Sequence, residues 1–168
     1  ELGFIGTAVG MAMLGLRPVV EVMTWNFALL AVDQILNNAA KLRYFSGGQV
    51  EVPLVIRGPN GAGVQLSAQH SQSLEALYAH FPGLWVVAPA TPADARGLLR
   101  TAVRGRDPVI FLENAALYGA KGEVPDGDEA IPFGQAEVMR RGRDVTIVGY
   151  SRMVHLAMTA ADQLAHEG

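Results

Sequence analysis

PLVIRGPNGAG, residues 53–63, is the stretch on which the fold turns. Leu54, Val55 and Ile56 follow one another with no polar residue between them, so a strand over 53–58 needs cover on both faces. The glycines of GPNGAG (58–63) then close it as a turn. Runs of the same kind recur at PVVEVM (18–23), LWVVAP (84–89) and PVIFLE (108–113). Helical patterns lie between them. A glycine-rich helix is expected over 4–15. A longer one is expected over 25–43, where Trp25, Leu29, Val32, Leu36 and Ala40 recur at helical spacing behind an N-cap at Thr24. A short helix over 71–80 starts near Ser71, and Thr91-Pro92 opens another that runs to Val103. Strands alternating with helices predict a doubly wound α/β fold with a parallel sheet.

Composition narrows the function classes. Half of the 168 residues are apolar and the net charge is −3, which offers no electrostatic footprint for nucleic acid. The basic residues are scattered, apart from Arg140, Arg141 and Arg143 in a loop. With no cysteine there is no disulfide framework, thiol nucleophile or cysteine-bound metal. The apolar run Phe4 to Leu16 is too short to cross a bilayer, and no targeting segment is visible. GTAVG (6–10) has the small-xxx-small spacing of two closely approaching backbones.

The alternation breaks after Tyr118. Residues 119–143 contain KGEVPDGDE and read as a linker. DVTIVGYS (144–151) then reads as a new strand with a helix from about Met153, the start of a second domain over 144–168. Residues 1–118 make the first domain.

Few residues carry chemistry. Glu1 stands at the mouth of an apolar segment, where burial of a carboxyl group favours its protonated form. The competing reading is a solvated acid at a helix start. His70, in AQHSQ, follows a strand and its loop, where ligands gather in open parallel sheets. A surface histidine is the equal alternative. His80 lies at a helix end and suits the helix dipole. GPNGAG is neither G-x-G-x-x-G nor a Walker loop, and Pro59 removes a donor, so it shapes a wall rather than holding a phosphate. No G-x-S-x-G elbow and no H-E-x-x-H occurs. Met23, Trp25 and Phe27 alternate toward one surface if the strand continues through them, as core or as a cofactor platform.

Taken together, ELGFIGTAVGMAMLGLRPVVEVMTWNF (1–27), AVDQILNNAAKLRYFSGGQ (31–49), PLVIRGPNGAG (53–63), AQHSQS (68–73), HFPGL (80–84) and PVIFLEN (108–114) resemble the β subunits of the thiamine-diphosphate-dependent 2-oxo acid dehydrogenases, the pyruvate dehydrogenase E1 type above all. The resemblance implies a transketolase-like pyrimidine-binding domain and then the start of a C-terminal α/β domain. It implies that Glu1 hydrogen-bonds the pyrimidine ring nitrogen of thiamine diphosphate, as a carboxylic acid whose proton favours the tautomer the cofactor needs. Leu2, Phe4 and Ile5 would keep that carboxyl dry. Met23 and Phe27 match cofactor contacts. His70 matches the histidine that faces substrate and the incoming lipoyl group, for proton transfer or charge stabilisation. Backbone carbonyls of Leu54, Ala102, Val103, Gly105 and Asp107 match those that hold a potassium ion.

The Gly-Asp-Gly motif that binds Mg²⁺ and the diphosphate in this family is absent, and GDE (127–129) does not replace it. In two-subunit members it lies on the α subunit. The resemblance therefore implies half a cofactor site, completed in an α2β2 heterotetramer. Pyruvate would be decarboxylated and a lipoyl domain of the E2 acetyltransferase core reductively acetylated, on the way to acetyl-CoA. The setting would be the cytoplasm of a bacterium, or the mitochondrial matrix or plastid stroma of a eukaryote. Rivals are a β subunit for branched-chain 2-oxo acids or acetoin, a single-chain transketolase-like enzyme, and a noncatalytic scaffold of the same fold. A dinucleotide-binding domain is the least supported.

Overall fold

Strands β1 (Val19–Glu21), β2 (Val55–Asn60), β3 (Trp85–Val87) and β4 (Val109–Asn114) form one parallel sheet in the order β1-β2-β4-β3. The computed structural model describes residues 1–63 and 65–167. Helices α1 (Leu2–Met13), α2 (Trp25–Ala28), α3 (Leu42–Phe45), α4 (Glu75–Ala79), α5 (Pro92–Arg104) and α6 (Arg152–Glu167) complete the main elements. The doubly wound architecture expected from the sequence is present. The chain moves outward from β1 to β2 to β3, then turns back to insert β4 in the middle. A right-handed connection that reverses direction must lie on the opposite face of the sheet, and α5 does.

The side-chain alternation of β2 and β4 divides the core in two. Leu54, Ile56, Ile110 and Leu112 meet α1 residues Ile5, Ala8, Val9 and Ala12, together with Trp25, Ile35, Leu36 and Tyr78. Val55, Val109 and Phe111 face the other way, onto Ala102, Leu98, Leu99 and Val103 of α5. Both faces of the two central strands are covered, which is why their sequences run apolar without a break. The edge strand β1 differs: Val19 and Glu21 are exposed on its outer face.

Helix α5 starts where Thr91 and Pro92 predict. Thr91 Oγ1 accepts from the Asp94 N–H at 3.0 Å, and Asp94 Oδ2 accepts from the Thr91 N–H at 3.0 Å, a reciprocal capping box.

Three local expectations need correction. The segment 25–43 is helical but not uniform: α2 tightens into a 3₁₀ turn at Leu29–Ala31 and opens into a π-helical stretch at Gln34–Ala39. The tight turn at Leu29–Ala31 puts Ala28, Ala31 and Ile35 in the core and leaves Leu29 exposed. The wider turn, marked by the Ala40 N–H bonding the Ile35 carbonyl at 3.0 Å, adds Ala39, while Trp25, Leu36 and Ala40 are buried as expected. The short helix begins at Glu75, because Ser71 instead donates to the Ser67 carbonyl at 2.8 Å and closes a 3₁₀ turn. Residues 144–151 form no strand. Val145, Ile147 and Val148 are exposed, and no neighbouring strand among the described residues satisfies their backbone groups.

Two close approaches explain glycines. A Cβ on Gly58 would lie 2.4 Å from the Val22 carbonyl oxygen, where β1 leaves the sheet. One on Gly97 would lie 2.5 Å from Ile131 Cγ1, where the polar segment after Tyr118 crosses α5. That segment is held by the Ile131 N–H on the Gly97 carbonyl at 3.1 Å, and by Arg96 and Arg100 donating to the Gly127 carbonyl, each at 2.7 Å. Arg104 donates to Asp128 and, with its charge, holds that carboxyl below the usual range. Within GTAVG, Gly6 lies against the Gln34 side chain and Gly10 faces open space, so the close backbone approach expected at these two glycines does not occur.

Gly58→Ala forces backbone against backbone rather than moving a flexible side chain. It is expected to destabilise the protein by about 3 kcal/mol, at the upper end for overpacked sites. A urea titration checks this, with an unshifted midpoint contradicting the packing described.

Candidate functional site

In parallel α/β sheets the loops beyond the strands' carboxyl ends are where side chains can converge without breaking the ladder. Three such segments meet here: MTWNF after β1, 61–63 with 65–73 after β2, and 115–118 after β4. Helix α1 packs on the sheet and is joined to β1 by only five residues, 14–18, so its C-terminal end lies near the start of β1 and its N-terminus toward the strand's other end. The N-terminus of α1 therefore comes to the same edge, and with it Glu1.

Glu1 caps α1 through its backbone: its carbonyl accepts from the Ile5 N–H at 3.0 Å, while its carboxylate makes no hydrogen bond among the described residues. It is half-buried. Of the three apolar neighbours expected to keep it dry, only Ile5 is buried. Leu2 and Phe4 point away from the core because the inward face of α1 is set by Ile5, Ala8, Val9 and Ala12.

The chain turns helical at Trp25, so the strand-like alternation stops there and MTWNF does not present one surface. Met23 is 73% exposed. Trp25 is fully buried, its indole N–H donating to the Phe111 carbonyl at 3.3 Å and its ring meeting Tyr78 edge-on at 5.1 Å. Thr24 is the N-cap residue, but its hydroxyl is buried with no hydrogen-bond partner among the described residues. Phe27 comes out on the site side, edge-on to the His70 imidazole at 5.4 Å and 80°. Phe27 and His70, 43 positions apart, are thus brought together.

Sequence reasoning missed the residues that hold the His70 loop. Asn26 Nδ2 donates to Gln72 Oε1 at 2.8 Å, and the Gly61 N–H donates to the Gln72 carbonyl at 2.9 Å. Buried Asn60, at the end of β2, donates to Glu75 at 2.8 Å and accepts from the Leu74 N–H at 3.2 Å. His80 closes α4 and stays outside the site.

A charged cluster at the same end of the sheet was also missed. Arg57 of β2 grips Glu113 of β4 with two bonds of 2.7 Å and also pairs with Glu21 of β1. Tyr118 donates to Glu113 at 2.7 Å. The hydrogen bond to Glu113 raises the Arg57 pKa against the cost of its burial. One visible signal was present: a charge of each sign inside two otherwise apolar strands.

The carbonyls matched to potassium ligands have N–H donors at four of five positions. The Leu54 carbonyl accepts from the Val109 N–H at 2.8 Å and the Ala102 carbonyl from the Gly105 N–H at 3.2 Å. The Val103 and Gly105 carbonyls both accept from Arg17 Nη1. The Asp107 carboxylate pairs with Arg43.

Comparison with known proteins locates this geometry. Residues 1–121 match the family model for the transketolase pyrimidine-binding domain, and residues 134–168 match that for the transketolase C-terminal domain. The chain is 55% identical to the mitochondrial pyruvate dehydrogenase E1 component subunit beta-2 of Oryza sativa, aligning over 100% of this chain and 46% of that one. It is 55% identical to the pyruvate dehydrogenase E1 component subunit beta of Rickettsia felis, over 99% and 51%. It is 53% identical to the beta subunit of acetoin:2,6-dichlorophenolindophenol oxidoreductase of Cupriavidus necator, over 100% and 50%. A solved split-gene transketolase, an inactive beta4 tetramer, superposes with a TM-score of 0.80 at 26% identity, covering 100% of this chain and 51% of that one. The chain spans about half the length of the relatives it matches.

The Tyr118 phenol gives a pH test. Partial burial, then its hydrogen bond to Glu113, then that carboxylate's charge raise its pKa above the ordinary value of 10.0. The folded state holds this proton more tightly than the unfolded one. Its contribution to stability is therefore complete below about pH 10 and is lost as pH climbs toward the folded value. Stability should fall as pH rises above about 10, and Tyr118→Phe should flatten that fall, leaving the part due to Tyr78, whose burial raises its own pKa. Urea midpoints across that range check it.

Proposed function

The chain belongs to the transketolase pyrimidine-binding domain family, and from that premise we propose that it is the β subunit of a pyruvate dehydrogenase E1, supplying half of a thiamine diphosphate site. The observation that carries this reading is the set of groups at one sheet edge: the unpartnered carboxyl of Glu1, the bare Met23 side chain and the Phe27–His70 pair. They suit a planar heteroaromatic ring that needs one hydrogen-bonding acid and apolar support. The buried, unpartnered hydroxyl of Thr24 lies in the same segment. Residues 1–118 form the pyrimidine-binding part, 119–143 the linker and 144–168 the start of the C-terminal domain.

Bound there, thiamine diphosphate supplies the electron sink that decarboxylation of a 2-oxo acid requires. Glu1 donates a hydrogen bond from its carboxyl oxygen to the pyrimidine nitrogen. Met23 and Phe27 support the rings, and Phe27 also orients His70. His70 moves a proton at a ring nitrogen where the substrate and then the lipoyl arm arrive. Mg²⁺ and the diphosphate belong to an α subunit, in an α2β2 assembly that also shuts water away from Glu1. The half-exposed state of Glu1, Leu2 and Phe4 in this chain supports that division. So does the structural neighbour, a transketolase beta tetramer described as inactive.

Acetoin is the second reading, because the acetoin-specific beta subunit is nearly as similar as the pyruvate-specific ones. The test is dye reduction by the protein with its α partner, thiamine diphosphate and Mg²⁺, using pyruvate, acetoin and a branched 2-oxo acid in turn. Pyruvate is expected to be the best substrate, and a preference for either other compound would reassign it. Glu1→Gln should lower the rate about 100-fold or more, and unchanged activity would leave a scaffold. His70→Ala should depress reductive acetylation of a lipoyl domain more than dye reduction, and equal losses would remove the assigned role at the lipoyl step.

A further inference from the structure

Arg17 has an unusual set of acceptors. It follows the turn that ends α1, yet its Nη1 donates to two backbone carbonyls at the far end of α5: Val103, at 3.0 Å, and Gly105. Among the described residues it forms no ion pair. The neighbouring acids are already engaged, Asp107 with Arg43 and Glu51 with Arg106. Helix α5 ends at Arg104 with its last carbonyls unpaired by the helix itself. The Gly105 N–H serves two of them, Thr101 at 2.9 Å and Ala102 at 3.2 Å. The remaining carbonyl charge gathers at the negative end of the helix dipole, where a cation is favoured. One nitrogen of Arg17 fills that position, bonded to both oxygens.

The Val103 and Gly105 carbonyls are two of the five that the family resemblance gives to a potassium ion, and the Arg17 guanidinium stands where an ion bridging those two would sit. We propose that Arg17 is the built-in cation of this cluster, replacing a free monovalent ion and tying the α1–β1 turn, and so the placement of Glu1 and Met23, to α5. A guanidinium meets the same demand as the ion because it is permanently charged and carries several donors in fixed geometry. The proposal concerns packing and cation binding, so it stands or falls separately from the choice of 2-oxo acid.

The test is thermal unfolding of the full protein in potassium, sodium and choline chloride at matched ionic strength, for wild type, Arg17→Ala and Arg17→Lys, with thallium(I) binding followed by equilibrium dialysis. Wild type should melt at the same temperature in all three salts and bind no thallium. Arg17→Ala should melt about 5 °C lower in choline, recover most of that in potassium, and bind one thallium ion per chain. Arg17→Lys should fall between them. A wild type that is stabilised by potassium over choline, or that binds thallium, overturns the proposal, since the ion would then sit beside Arg17. So does an Arg17→Ala protein whose melting temperature is unchanged in every salt. If Arg17→Ala does not fold, wild type and Arg17→Lys decide the matter through the same salt series and dialysis.

Discussion

The ladder between β2 and β4 is the constraint on which the rest depends. Its six residue pairs run from Val55 opposite Val109 to Asn60 opposite Asn114. A slip of β4 by one residue against β2 would turn Ile110 and Leu112 toward α5 and Val109 and Phe111 toward α1, exchanging that strand's share of the two halves of the core. Because both faces are buried, no such slip is tolerated. The register also sets the far end of the strands, where Arg57 can reach Glu113 and where the turn at Gly61 meets Asn114.

Stability and the proposed site divide along the strand axis. The middle of the sheet is apolar on both sides and carries no chemistry. The carboxyl ends carry Arg57, Glu113, Asn60 and Asn114, followed by the loops bearing Phe27 and His70. The polar residues there do not touch the Phe27–His70 pair. They fasten the loops that do, through Asn26 to Gln72 and Asn60 to Glu75. Arg57 and Glu113 are costly to bury singly, and each satisfies the other. An apolar replacement of one would leave the partner's charge stranded beneath the site. Arg17 works on the opposite side of the same helix–strand unit, fixing where α1 turns into β1 by gripping the end of α5.

Much of this was readable in the chain. The four strands, the start of α5 at Thr91-Pro92 and the helix ending near His80 follow from local patterns, because apolar runs, caps and turns act over a few residues. His70 could be marked as a candidate from its place after a strand. The stripe over 25–43 was only half legible. A 3₁₀ turn followed by a π-helical stretch leaves no trace in a pattern read at constant pitch, so Leu29 was assigned to the core and Ala28, Ala31 and Ile35 were not, while Trp25, Leu36 and Ala40 were placed there correctly. Residues 144–151 show the converse: a strand-like sequence forms no strand where none of the described residues lies beside it to pair with.

The alternation of elements and the apolar central strands could be read locally, since each is encoded by neighbours within a turn or two, and the resemblance to a family marked Glu1, Met23, Phe27 and His70. Which of these residues meet depends on contacts between distant segments. Phe27 and His70 come together because β1 and β2 are adjacent and end at the same edge. Met23 stays bare and Trp25 sinks into the core because the backbone turns helical between them. Arg17 reaches carbonyls 86 and 88 residues away because a helix end happens to stop within the span of its side chain. Such contacts depend on chain crossings, and no local pattern records where two distant segments cross.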